Sequence, residues 1–90
     1  MIPGKLYRSK AYQLKVWQDI DFDIIKGQYY VSNFLMLLSR STVFMVIEIM
    51  KTERIPYSAS NDVCKILDAN GNIGYIRYND FGNIFIEVKE

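Results

Sequence analysis

Hydrophobic and polar positions alternate along much of the 90-residue chain, and alternation with a period of two marks strands that have one covered face. The pattern is clearest from Val63 to Val88, which reads as strand, tight turn, strand, short turn, strand. Gly adopts the positive φ of a mirror-image turn freely and Asn tolerates it, so Asn70-Gly71 predicts a two-residue hairpin. A longer loop over Asp68-Ala69-Asn70-Gly71, closed by a Gly bulge, is the alternative; it shifts the pairing by one residue and exchanges the faces of one arm. On the first arm Lys65 points to water, which turns Cys64 and Ile66 towards the core. On the second arm Ile76 is the core residue and Tyr75 and Arg77 take the opposite face. Asn79-Asp80-Phe81-Gly82 interrupts the alternation with turn residues; Ile84, Ile86 and Val88 then resume it, with Phe85 and Glu87 on the other side.

From the amino terminus, Pro3-Gly4 predicts a turn and Lys5 to Tyr12 a first strand with Leu6 and Tyr7 on opposite faces. Asp19, Asp21 and Asp23 alternate with Ile20, Phe22 and Ile24. The spacing resembles a calcium loop, but the positions where such a loop needs Gly and a bidentate Glu hold Ile24 and Tyr30. An amphipathic arm is expected instead, with its apolar side resting on the body, its aspartates in water and a break at Lys26-Gly27. Tyr29 to Leu38 has the Tyr and Val of a strand but also helical spacing at Phe34, Leu37 and Leu38; strand is favoured over a two-turn helix capped by Ser32-Asn33. Val43 to Met50 suits a central strand covered on both faces, and Met36, Met45 and Met50 suit gap-filling in the core. Lys51 to Asp62, with Pro56 and Ser58-Ala59-Ser60-Asn61, reads as a loop.

Composition narrows the picture. Half the residues are hydrophobic and 14% aromatic, too apolar for a disordered chain, whereas the longest apolar runs are too short for a membrane-spanning helix. Residues 1–90 are expected to form one small all-β domain that is soluble and, with a lone Cys64 and no leader-like start, cytoplasmic. Eleven basic and ten acidic side chains leave a net charge of +1, so no global field draws nucleic acid or lipid. Locally, Lys5, Arg8, Lys10 and Lys15 precede the first acid. They read as charges that keep an edge strand from aggregating, or alternatively as a phosphate-contacting nucleic-acid patch.

The run Gly71-Asn72-Ile73-Gly74-Tyr75-Ile76, followed by Asn79 and Phe81, resembles the distal hairpin, fourth strand and 3₁₀ turn of the Src-homology-3 (SH3) fold, and Leu6-Tyr7 is similar to the start of that family's first motif. Together with the opening Ile2 to Arg8, the closing hairpin also resembles small SH3-like proteins of tailed bacteriophages, including those of marine cyanobacteria. The resemblance implies a small antiparallel SH3-like barrel in which Ala11 to Ser41 is an enlarged first loop folded back as an arm. It further implies a protein-interaction module, a phage accessory or host-interacting protein, with a host or virion component as partner and the host cytoplasm as its setting. The family's proline-rich ligands lie in an aromatic groove. Tyr75 matches one groove tyrosine and Tyr7 another, but Arg77 replaces the groove proline, Asp80 replaces a tyrosine, and the tryptophan position falls on Asn61, Asp62 or Val63.

The expected contact surface is therefore Tyr7, Tyr75, Tyr78 and Trp17 flanked by Arg8 and Arg77, since aromatics beside arginine dominate interface hot spots. Trp17 pinning the arm to the barrel is the other reading of that residue. The chain contains no histidine, which removes Ser-His and Cys-His nucleophilic systems. Cys64 reads as core, and no catalytic, metal or cofactor site is expected. Protein binding, including self-association through an exposed edge, is favoured over nucleic-acid binding, and a carboxylate-based enzyme ranks last.

Overall fold

A computed structural model describes residues 2–10, 13–50, 62–78 and 85–89. The expected loop before Asp62, the turn at Asn79–Gly82 and Ile84 lie outside the described residues. The fold is all-β: β1 (Leu6–Ser9), β2 (Gln13–Asp23), β3 (Gln28–Ser39), β4 (Phe44–Met50), β5 (Asp62–Asp68), β6 (Ile73–Tyr78) and β7 (Phe85–Glu87). They form one antiparallel sheet in the order β3-β2-β6-β5-β4-β1-β7, curled into a half-barrel. Alternation places Tyr7, Val16, Phe44, Val46, Cys64, Ile66, Ile76 and Phe85 on the inside of the curl, where all are buried. Phe44 anchors this core, with the Phe85 ring edge-on at 5.9 Å and the Tyr7 ring at 6.5 Å.

The central hairpin has the longer of the two loops that the sequence allowed. Asp68 and Asn72 pair through the Asp68 N–H, which donates to the Asn72 carbonyl at 3.0 Å, and the Gly71 N–H donates to the Asp68 carbonyl at 3.2 Å. Gly71 has φ +83°, but Asn70 does not have the positive φ that a two-residue mirror-image turn requires. The Asp68 carboxylate decides the outcome by accepting from the Asn70 and Asn72 N–H groups at 3.0 and 2.7 Å, a side-chain-closed turn. The resulting register sets Cys64 opposite Ile76 and Lys65 opposite Tyr75, so the longer loop does not exchange the faces of one arm as expected of it: it puts Cys64, Ile66 and Ile76 together on the buried side.

Tyr29 to Leu38 lies within a strand, and β2 and β3 form one long hairpin with its turn at the expected Lys26-Gly27. The Asp23 carboxylate builds that turn by accepting from the Ile25 and Lys26 N–H groups, and Gly27 closes it at φ +62°. The apolar side of this arm does not rest on the body as expected. Phe22 is 45%, Ile24 86% and Ile25 96% exposed, because β2 touches β6 at a single paired position, Trp17 with Tyr75, and beyond it only β3 accompanies the strand.

Three further expectations change. The first strand is shorter than Lys5–Tyr12. In β4, Phe44 and Val46 are buried but Ile47, turned outward by alternation, is 38% exposed, and a register shift between Val46 and Glu48 puts Glu48 on the outer face as well, so the strand is not covered on both faces. In β7 the alternation survives with Phe85, not Ile86, on the core side.

Candidate functional site

The outer face of the sheet carries a row of side chains that share one level. Antiparallel partners directly opposite each other point to the same side, and the register runs Glu48 with Lys65, Lys65 with Tyr75, Tyr75 with Trp17, and Trp17 with Phe34. Five strands thus bring an acid, a base and three aromatics into one line of roughly 19 Å, at ~4.8 Å per strand. Ile76 and Cys64, on the inner face, are fully buried beneath it. Trp17 and Phe34 meet edge to face at 6.1 Å, the geometry that the ring quadrupoles favour. Tyr75, Trp17 and Lys65 are half-buried and Glu48 is exposed, while Phe34 is 53% exposed. Arg77 stands two residues beyond Tyr75 on the same face and is also exposed.

The expected contact surface is therefore brought together only in part. Trp17, Tyr75 and Arg77 share the outer face. Trp17 both pins the arm, as the paired residue that joins β2 to β6, and contributes to the row. Tyr78 ends β6 opposite Asp62, and its side chain lies outside the described residues. Tyr7 belongs to the core instead of the surface: it is 6% exposed, packs against Phe44, and its hydroxyl accepts from the Ile2 N–H at 2.7 Å. Arg8 does not flank Tyr75, because β4 and β5 separate β1 from β6. Sequence reading missed Phe34, Lys65 and Glu48, whose membership depends on the register of strands far apart in the chain.

The basic residues divide as well. Arg8 lines a cavity of about 460 Å³ with Gln13, Leu37, Leu38 and Arg40, where the curl brings β1 close to the base of the arm. Lys5 lines a separate cavity of about 420 Å³ beside Glu87 and Lys89. Lys10 and Lys15 are exposed, Lys15 opposite Leu37 on the arm. All four face solvent, but they form no single stripe.

Cys64 is fully buried, and burial pushes its thiol up to about 12, the opposite of an activated nucleophile. Burial alone raises the Asp68 carboxyl, but the hydrogen bonds from Asn72 and Asn70 outweigh it and hold the group below its ordinary value. Among the described residues no three His, Cys, Asp or Glu side chains converge to hold a metal ion. Nor is any helix among them long and apolar enough to cross a membrane. No protein-family model, curated protein or solved structure matches the chain.

Proposed function

We propose that the chain is a non-enzymatic protein-binding module whose contact face is the outer row of Tyr75, Trp17 and Phe34, flanked by Lys65 and Arg77. The observation that carries this reading is the pairing of Trp17 with Tyr75, which aligns aromatics from three strands in a row that remains partly open to solvent. Large rigid aromatics beside cations provide contact area at little cost in conformational entropy. An SH3-like arrangement is supported by the division of the chain into five body strands, β1, β4, β5, β6 and β7, with the β2–β3 hairpin inserted after the first. On that reading the partner is a host or virion protein met in the host cytoplasm. Burial of Tyr7 and exposure of Arg77 argue against the proline-binding groove.

The test compares capture from host-cell extract by the wild type with capture by Tyr75→Ala and Trp17→Ala, all checked for an unchanged β spectrum. Each substitution is expected to weaken the captured partner by about 2 kcal/mol or more. Ile76→Ala serves as a folding control, because its loss from the other face should cost about 2 to 5 kcal/mol of stability. Equal capture by the wild type and both aromatic variants overturns the proposal, as does a proline-rich peptide that binds better than its scrambled form. Nucleic-acid binding is the second reading, supported by Arg8 and Arg40 on one cavity. It requires binding that weakens steeply with salt.

A further inference from the structure

The two edges of the sheet are built differently. β7 is three residues long and carries Glu87, whereas β3 is twelve residues long and contains no charge, proline or glycine. Short length, charge and a bulge are usual protections of an edge strand; β3 has neither of the first two, and its one bulge, at Leu35, leaves regular pairing on both sides of it. Among the described residues it pairs only with β2, and Phe34, Leu35 and Leu37 are 53%, 37% and 45% exposed. At one end of this edge stands the arm tip, with Ile24 and Ile25 almost fully exposed on a turn fixed by Asp23. At the other end lies the cavity with Leu37 and Leu38 on its wall and Arg8 and Arg40 around it.

The tip and the cavity are chemically complementary. The tip is apolar, and the outer part of its hairpin from Asp19 to Tyr30 carries Asp19, Asp21 and Asp23 against Lys26; the cavity is apolar and basic. The tip cannot reach the cavity of its own chain, since the length of β3 separates them by on the order of 30 Å. A second copy supplies the match. If two β3 strands overlap fully and antiparallel, Gln28 of one stands opposite Ser39 of the other, and the turn Ile24–Gly27 of each falls beside residues 40–43 of its partner. The irregular residues of the edge, Asn33 at φ +57° and Leu35, the extra residue at the register shift beside Val16 and Trp17, then lie close to the twofold axis, leaving the flanks on either side to pair.

We propose that the chain forms a closed twofold dimer through antiparallel β3 edges, seating the Ile24-Ile25 tip of each arm at the Arg8 and Arg40 cavity of the other copy. Each copy provides one tip and one cavity, so the contact closes without propagating into a fibre. The dimer does not depend on Tyr75: Tyr75→Ala leaves it intact, whereas Phe34, which the protein-binding face shares with β3, lies close to the axis.

Sedimentation equilibrium of the full chain should show a mass that approaches twice 10.6 kDa with rising concentration. Leu37→Lys at the edge and Ile25→Asp at the tip are each expected to weaken the dimer at least about tenfold. Arg8→Glu and Asp21→Lys should each weaken it too, and an equal mixture of those two variants should restore it, because a mixed dimer matches charges at both contacts. If Leu37→Lys fails to fold by circular dichroism, the mixing experiment decides alone. A monomer at every concentration, a dimer indifferent to both Leu37→Lys and Ile25→Asp, or a mixture no tighter than its components overturns the proposal.

Discussion

Gly74 shows how much a single position in this sheet can depend on a remote strand. A Cβ built there would collide with Val16 Cγ1 and stand 3.2 Å from the Trp17 carbonyl oxygen. Val16 is β-branched and fully buried, so it has little room to turn aside. Gly74→Ala is therefore expected to cost about 1 to 3 kcal/mol, read as a lower urea midpoint; an unchanged midpoint would show that β2 and β6 do not approach so closely. Cys64 provides a second check. With its thiol buried and held at about 12, alkylation should be slow in the native protein and accelerate with urea as the chain opens, whereas rapid native labelling would place the thiol near the surface. The side-chain direction of Cys64 was legible because Lys65 fixes the alternation from one residue away. The constraint on Gly74 was not, because the atoms it must avoid belong to residues 16 and 17, which nothing local brings near.

The two hairpins differ in the same respect at the scale of elements. For β5–β6 the turn residues and strand faces were legible, and only the choice of loop was open; Asp68 settles it through bonds that any Asp at the head of such a turn can make. Those bonds predict a pH dependence. Because the folded Asp68 carboxyl lies below its ordinary value of 3.8, the native state binds fewer protons than the unfolded chain as that group titrates. Its contribution is fully present above 3.8 and is lost as pH falls through the folded value. Between about pH 5 and pH 2 the wild type should therefore lose more stability than Asp68→Asn, which keeps the turn but has no proton to take up. Parallel pH profiles for the two proteins would remove the carboxylate from this role. For β2–β3 the strand character of Tyr29 to Leu38 and the break at Lys26-Gly27 were also legible, but Gln13–Asp23 read as an arm within an enlarged loop and not as a strand, and the exposure of the pair was not legible. Alternation predicts which side of a strand is apolar; it does not say whether anything covers that side.

That distinction governs the whole molecule. Its dimensions of 39 × 25 × 23 Å match on the longest axis a strand of eleven or twelve residues, so the arm sets the length and the curled body sets the width. Stability should follow the same division. β5 lies at the middle of the sheet order with strands on both sides, and Val63, Cys64 and Ile66 are completely buried. The arm beyond Trp17 has one partner strand, a ring contact between Phe22 and Tyr29 at 4.8 Å, and two isoleucines in solvent. Regions with few buried contacts open at lower free energy than the core. In dilute protein, where copies do not cover one another, amide hydrogen exchange should thus be slowest in Val63 to Leu67 and their partners in β6, approaching the global unfolding free energy. It should be much faster from Asp19 to Val31, through local opening that leaves the body intact. Raising the urea concentration should speed exchange at Cys64 and Ile66 by the full unfolding slope, yet hardly change it at Phe22 and Tyr29. Equal protection and equal urea dependence along the chain would mean that the arm and body unfold together, and that contacts beyond the β2–β3 pairing hold the arm in place.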